Sequence, residues 1–183
     1  MTCIVGIAER GVVQMRADSH TSIGDRRVRR AGASKVFSFR DFVIGCAGCM
    51  RLPQLMEHVF LPPHRAPRQD LMNYMVRDFV GELHTLLQEN DLVWADRSPK
   101  SGTVLVGVAG RLFLIDGDLA VTESADGYDA IGSGAQAALG SLYSTGHLPA
   151  TERLSVALEA AEAHCTTVRG SISRACNKDK KNV

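Results

Sequence analysis

Short runs rich in apolar and β-branched residues open the chain, and turn residues separate them. The run from Cys3 to Ala8 and the run from Val12 to Ala17 are joined by Glu9-Arg10-Gly11, a connection of hairpin length. Valine and isoleucine fit a pleated surface better than a helix, so the pattern predicts two paired strands. Two further strands are predicted over Lys35 to Phe39 and Phe42 to Cys46.

The middle of the chain changes to a helical spacing of apolar residues. A first amphipathic helix is predicted from Leu52 to Phe60, and the prolines in Leu61 to Pro67 end it because proline does not fit a helix interior. A second helix of about five turns is predicted from Leu71 to Leu87, after Asp70.

The second half of the chain repeats this order. Helices are predicted over Ala135 to Tyr143 and Thr151 to Val168, with Thr151 as the N-cap of the last one. Asp116-Gly117 marks a hairpin turn among the strands that precede them. Those strands are predicted over Thr103 to Val108, Leu112 to Ile115, Leu119 to Thr122 and Tyr128 to Ile131.

Runs of strands followed by runs of helices indicate an α+β protein rather than alternating α/β units. Two antiparallel sheets packed face to face, each covered on its outer side by a pair of helices, would bury every apolar face. The sequence therefore predicts a four-layer αββα sandwich. One domain is predicted over residues 1–176, with a charged and disordered tail over residues 177–183.

Composition narrows the class of protein. The 183 residues are 45% hydrophobic and 22% charged with a net charge of +1, which is typical of a globular protein and gives no general attraction to nucleic acid or anionic membranes. No apolar run approaches the length of a membrane span, and the N-terminus does not resemble a signal peptide. Five cysteines, an odd number, fit a reduced cytoplasmic protein better than a disulfide scaffold.

The first two residues suggest a chemistry. Methionine is normally removed when the next residue is small, so Thr2 is a candidate mature N-terminus. An N-terminal threonine combines a hydroxyl nucleophile with an amine base. A Met-Thr start is also common in proteins without such chemistry, so this pair needs support from the rest of the chain.

Four segments supply that support. TCIVGIAERGVVQMRADS, SKVFSF, FVIGCAG and DAIGSG resemble, in order and spacing, the proteasome β-subunit family and its bacterial relative HslV. The resemblance runs from Thr2 to about Val168. The start Met-Thr-Cys-Ile-Val-Gly is similar to that of members encoded by bacteria and their phages.

The resemblance implies the N-terminal nucleophile hydrolase fold and assigns roles to matching residues. Thr2 would supply the nucleophilic hydroxyl, and its α-amine would be the general base. Lys35 would stabilise the developing alkoxide, and Asp18 would hold Lys35. The N–H of Gly48 would be the oxyanion donor, and Ser133 would bond the α-amine.

Each of these residues also has a structural interpretation. Asp18 alone is a strand-end turn residue, Lys35 a solvated lysine, Gly48 a strand cap, and Ser133 a helix N-cap. Their joint occurrence with Thr2 favours catalysis. The family carries an aspartate after its last core helix, and this chain has none there, so Thr166 is expected to take that place.

The pair Cys46 and Cys49 forms a C-x-x-C motif, but a four-cysteine zinc site needs a second such pair, so no metal is predicted. By resemblance these two cysteines, with His20, are assigned to the substrate pocket. No cofactor is predicted. Because the chain has no phosphate-binding glycine loop, any ATP dependence belongs to a separate unfoldase partner.

The run RRVRR, residues 26–30, is the feature that favours a nucleic-acid module. It is confined to a polar segment of a neutral chain and lacks interleaved aromatic residues, which favours a solvated or interface loop.

The function predicted is that of a threonine peptidase. It would cleave peptides or unfolded proteins through an acyl-enzyme at Thr2, inside a homo-oligomeric ring that the resemblance implies. Two alternatives stay open at this point. One is an amidase for a small-molecule amide on the same fold, and the other is a catalytically silent ring-forming or assembly protein with Met1 retained.

Overall fold

Two antiparallel sheets form the centre of the fold in a computed structural model, which describes residues 2–23, 26–28, 34–92 and 102–177. The strands are β1 (Cys3–Glu9), β2 (Val12–Asp18), β3 (Thr21–Ile23), β4 (Arg26–Val28), β5 (Val36–Phe39), β6 (Phe42–Gly48), β7 (Gly102–Val108), β8 (Arg111–Ile115), β9 (Val121–Glu123), β10 (Tyr128–Gly132) and β11 (Ile172–Cys176). The helices are α1 (Arg51–His58), α2 (Leu71–Tyr74), α3 (Val80–Glu89), α4 (Ala135–Ser144) and α5 (Ala150–His164).

One sheet has the strand order β10-β1-β2-β11 and the other β5-β6-β7-β8-β9, and a separate hairpin pairs β3 with β4. Alternate residues of each strand point to opposite faces, which sorts the apolar side chains into layers. The layer between the two sheets holds ten buried residues, which include Ile4, Val13, Met15, Val43 and Leu105.

Helices cover the outer face of each sheet. The four-stranded sheet packs against α4 and α5 through a cluster that includes Val5, Leu142 and Leu158. The five-stranded sheet packs against α1, α2 and α3 through a larger cluster centred on Phe79 and Phe113. The predicted α+β architecture, an αββα sandwich, is confirmed.

The long helix predicted from Leu71 to Leu87 contains a π-helical turn, Met75–Phe79, between α2 and α3. Asp70 caps its start, because the carboxylate accepts a hydrogen bond from Asn73 N at 2.9 Å. The π turn presents Phe79 to the rings of Phe42 and Phe60, whose centroids lie 5.6 and 4.9 Å away.

The last helix differs from its prediction at both ends. It begins at Ala150 after the extended Pro149, so Thr151 lies inside the first turn rather than at the cap. It ends at His164 because Cys165 adopts an extended backbone. The residues up to Val168, predicted as helix, form a turn instead.

Other boundaries also shift. The first helix ends at His58, and Phe60 is buried from an irregular segment. The strand predicted over Leu119 to Thr122 is β9, Val121–Glu123, because Leu119 has a φ of 69° in the preceding turn.

Two elements were not predicted, the β3–β4 hairpin and the edge strand β11. Of the RRVRR run, residues 26–28 form β4, and residues 29 and 30 lie outside the described residues. Residues 178–183, most of the tail predicted to be disordered, also lie outside them. The domain boundary at residue 176 stays a prediction. None of the described helices has the length and apolar character needed to cross a bilayer.

Candidate active site

Thr2 lies at the start of β1, between that strand and the end of β10. It is buried, with 7% of its surface exposed. Its nitrogen donates to Ser133 Oγ at 3.3 Å. Its carbonyl oxygen accepts from Ser133 Oγ and from Gly134 N, each at 3.3 Å. Ser133 and Gly134, which follow β10, therefore hold both the nitrogen and the carbonyl oxygen of Thr2.

Asp18 ends β2 beside the same point. Its Oδ1 accepts from Cys3 N at 2.8 Å and from Lys35 Nζ at 2.9 Å, and its Oδ2 accepts from His20 N at 3.0 Å. Lys35 Nζ also donates to the carbonyl oxygen of His20 at 2.8 Å. Asp18 thus links the residue after Thr2 to the lysine that precedes β5.

This ion pair is shielded from solvent. The side chain of Asp18 is 4% exposed and that of Lys35 is 13% exposed. Burial lowers the pKa of Lys35 below its usual value, and the charge of Asp18 opposes that shift. The lysine therefore gives up its proton more readily than a lysine in water does.

Gly132 closes against the carbonyl of Thr2. It has a φ of 94°, and a Cβ at this position would lie 2.1 Å from Thr2 O. A side chain here would be strained and would also displace Thr2. The approach that brings Ser133 to Thr2 therefore requires glycine.

Gly48 ends β6, where it is exposed and paired with Gly102 of β7. Both have positive φ, 132° and 119°, and a Cβ on Gly102 would lie 2.0 Å from the carbonyl oxygen of Ala47. Glycine is therefore needed at both positions of this pair.

The turn after α5 brings two further residues to Ser133, and sequence reasoning missed both. Thr167 Oγ1 lies 3.2 Å from Ser133 Oγ, and Cys165 Sγ lies 3.7 Å from that oxygen and 3.2 Å from Thr167 Oγ1. Thr166, the residue expected to face the site, is exposed. The run of thiol and hydroxyl residues was visible in the sequence, but extending the helix to Val168 hid its position.

The cysteines differ in chemical character. The hydroxyl of Thr167 is the main cause that lowers the pKa of Cys165, and the N–H groups of Thr167 and Val168 add to it. Burial raises the pKa of Cys3 to about 12 and also raises that of Cys46.

We expect iodoacetamide at neutral pH to alkylate Cys165 well before Cys3 or Cys46, at a rate at least about tenfold higher, because the thiolate is the nucleophile. Peptide mapping by mass spectrometry over time measures the order. The Cys165→Ser variant is the control, since it should lose the adduct at residue 165 and leave the alkylation of the other cysteines unchanged. Alkylation of Cys3 at a rate equal to that of Cys165 would contradict the environments described above.

The residues assigned to a substrate pocket are dispersed. His20 is half-buried beside Lys35, and its Nδ1 is buried without a hydrogen-bond partner among the described residues. Cys46 is 3% exposed in the core under α1, and Cys49 packs against the edge of that core. Their assignment to a pocket stays a prediction. In the described ranges, no three His, Cys, Asp or Glu side chains come together as a metal site.

A cavity of about 350 Å³ lies at the opposite end of the sandwich. The hairpin turns at Gly11, Arg40 and Ala109 line it, together with Pro63 and Arg65. These turns connect strands whose opposite ends lie near Thr2. The cavity is therefore separate from the Thr2 cluster.

Comparison with known proteins gives a likeness of fold. No protein-family model matches the chain, and no curated protein matches it significantly. Among solved structures, BPH from Thiobacillus denitrificans is similar with a TM-score of 0.78 and 19% identity, over 96% of this chain and 97% of that chain. It has also been solved in complex with Epoxomicin.

Two other solved structures share the architecture. HslV from Trypanosoma brucei matches with a TM-score of 0.67 and 20% identity, over 96% of this chain and 98% of that one. Anbu from Yersinia bercovieri matches with a TM-score of 0.71 and 14% identity, over 96% of this chain and 81% of that one. The chain has the N-terminal nucleophile hydrolase fold that these proteins share.

Proposed function

We propose that this chain is a proteasome-like threonine peptidase that cleaves peptide bonds through an acyl-enzyme at Thr2. The observation that carries the proposal is the convergence of two groups on the start of β1. Ser133 bonds the nitrogen of Thr2, and the Asp18–Lys35 pair is bonded to the next amide, that of Cys3. A buried lysine–carboxylate pair at this point suits a site where an alkoxide forms.

The nucleophile requires that Met1 be removed, so that the nitrogen of Thr2 becomes an α-amine. The amine then takes the proton of Thr2 Oγ1, directly or through one water, and the oxygen attacks the carbonyl carbon of the substrate. Lys35 stays protonated and lowers the free energy of the developing alkoxide. Asp18 keeps the ammonium in place through a charge-assisted hydrogen bond of 2.9 Å.

The attack produces a tetrahedral intermediate whose oxyanion needs a donor. The N–H of Gly48 is the proposed donor, and a donor of this kind contributes about 3–4 kcal/mol to transition-state stabilisation. The α-ammonium of Thr2 returns its proton to the leaving amine, and the C–N bond breaks. An ester between Thr2 Oγ1 and the acyl half of the substrate remains.

Hydrolysis of the ester reverses these roles. The neutral α-amine removes a proton from water, the hydroxide attacks the ester carbonyl, and the proton passes to Thr2 Oγ1 as the acid leaves. Ser133 supports both stages because its hydroxyl can accept from the ammonium or donate to the amine. Thr167 Oγ1 lies within hydrogen-bond distance of that hydroxyl oxygen, at 3.2 Å.

The proposal extends to the setting of the enzyme. We propose peptides or unfolded proteins as substrates, a homo-oligomeric ring that encloses the sites, a separate ATP-dependent unfoldase, and a cytoplasmic location. The fold shared with HslV, Anbu and BPH supports the ring, and since the sequence has no phosphate-binding glycine loop, any ATP dependence would belong to the separate unfoldase.

Intact mass spectrometry before and after treatment with a peptide epoxyketone tests the chemistry. This reagent reacts with both the hydroxyl and the free α-amine of an N-terminal threonine. We expect the mass to show loss of Met1 and one adduct, located at Thr2 by peptide mapping. The Thr2→Ala variant should form no adduct, and Thr2→Ser, which keeps a hydroxyl and an amine, should still form one.

Retention of Met1 with no adduct would overturn the proposal for this form of the protein and favour the silent ring-forming alternative. An adduct combined with turnover of small amides but not of unfolded protein would instead favour the amidase. Turnover of a denatured protein, lost in Thr2→Ala, would support the peptidase.

A further inference from the structure

Arg16 is an unusual residue in the interior of this fold. It lies in β2 with only 6% of its surface exposed, on the face that packs under α5. Its Nη1 donates to Ser155 Oγ on that helix. In the part of the chain that the structure describes, no carboxylate forms an ion pair with it. Buried charges are rarely left without a counter-ion, because desolvation is costly.

The residue opposite Arg16 adds a second positive charge. Arg174 of β11 pairs directly with Arg16 across the two strands, so both side chains project from the same face. Like charges at such positions repel each other. Burial lowers the pKa of Arg16, and the charge of Arg174 contributes to that shift.

Carboxylates near this pair are otherwise engaged or remote. Asp18 lies two residues beyond Arg16, but its oxygens accept from Lys35, Cys3 and His20. Glu152 and Glu159 flank Ser155 on α5 and are exposed, and neither forms an ion pair with the arginines in the described ranges. The chain thus supplies two guanidinium groups here without a described counter-charge.

The place is also open to a ligand from one side. β11 is the edge strand of its sheet, and Arg174 is exposed. Ser155 Oγ accepts from Arg16 and donates to Thr151 O at 3.3 Å, so it fixes the direction of the guanidinium without neutralising it.

We propose that Arg16 and Arg174, with Ser155 orienting the first, form a binding site for a small oxyanion, a phosphate or carboxylate group. Guanidinium forks bind the oxygens of such groups in a bidentate manner, and two of them facing one anion would convert mutual repulsion into attraction. This site is independent of the proposed peptidase chemistry, since it uses none of the residues at Thr2.

The probe is inorganic phosphate, titrated into the full-length protein at constant ionic strength with chloride as the balancing ion. We expect the unfolding temperature to rise by about 3 °C at a phosphate concentration ten times Kd, because the anion binds the folded chain and not the unfolded one. Isothermal calorimetry should give a saturable binding heat under the same conditions.

Arg174→Gln removes the exposed arginine and leaves the buried one, so the variant is expected to fold. Its affinity for phosphate should fall at least about tenfold, as expected when one of two charge-assisted partners is lost. Arg68→Gln is the matched control. Arg68 is exposed in the segment before α2, and its replacement removes the same charge. It should bind phosphate like the parent protein.

Equal phosphate stabilisation in the parent and in Arg174→Gln would overturn the site, as would no stabilisation of either. The readouts are melting temperature and heat, so they do not depend on the activity of Thr2. Failure of this proposal is therefore distinguishable from failure of the proposed peptidase.

Discussion

Replacing Lys35 with methionine should both inactivate and destabilise the protein. Asp18 would keep its charge in a place where its side chain is 4% exposed, with its ammonium partner gone. Leaving one member of a buried pair unpaired costs about 3–5 kcal/mol of unfolding free energy. Urea unfolding followed by circular dichroism measures this loss. Peptidase activity should fall about 10²–10³-fold, as on removal of one group that stabilises a developing oxyanion.

The double variant Lys35→Met with Asp18→Asn separates these two effects. The introduced asparagine carries no charge and its oxygen can still accept from Cys3 N, but its NH2 cannot accept from His20 N as Asp18 Oδ2 does, so part of the lost stability should return. Activity should stay low because the ammonium is still missing. If activity recovered together with stability, Lys35 would act only through the fold.

Gly132→Ala should have the second large effect, and it acts through the backbone. The added methyl would meet Thr2 O at 2.1 Å from a residue with a φ of 94°. Strain and overpacking together should lower the unfolding free energy by about 2–5 kcal/mol. Activity should fall at least about 10²-fold, because a shift of Thr2 by about 1 Å disturbs the geometry of attack. Epoxyketone labelling rates and urea unfolding measure the two effects.

Gly140→Ala is the matched control, since Gly140 lies in α4 with nothing within 4 Å of an added Cβ. That variant should gain about 0.5–1 kcal/mol of stability, because alanine has the higher helix propensity, and should keep its labelling rate. A Gly132→Ala protein that labels as fast as Gly140→Ala would show that the close approach to Thr2 is not needed.

The sequence predicted the layers well because the buried strands carry unbroken apolar runs. β1 and β6 are examples. They carry apolar residues on both faces because one face of each sheet packs against the other sheet and the opposite face packs against helices. β11 has no such run: Ile172–Cys176 is an exposed edge strand whose pairing with β2 depends on backbone hydrogen bonds. Periodicity cannot detect a strand of that kind.

The residues proposed for the site were assigned through the family resemblance of their motifs, and each stands at the end of a predictable strand. Asp18 ends β2, Lys35 precedes β5, and Ser133 follows β10, and the structure brings all three to the start of β1. Thr167 and Cys165 were missed because their position depends on where α5 stops. The extended backbone at Cys165 sets that end, and helical spacing alone did not reveal it.

The bond between Thr2 and Ser133 joins residues 131 positions apart. On a ribosome that adds about 5–20 residues per second, β1 emerges on the order of ten seconds before β10 can pair with it. A half-made chain therefore carries its threonine without the partner that positions it. If the proposed peptidase works as described, the nascent chain cannot yet cleave other proteins. The time before its active site is complete is set by the length of the chain between these two residues.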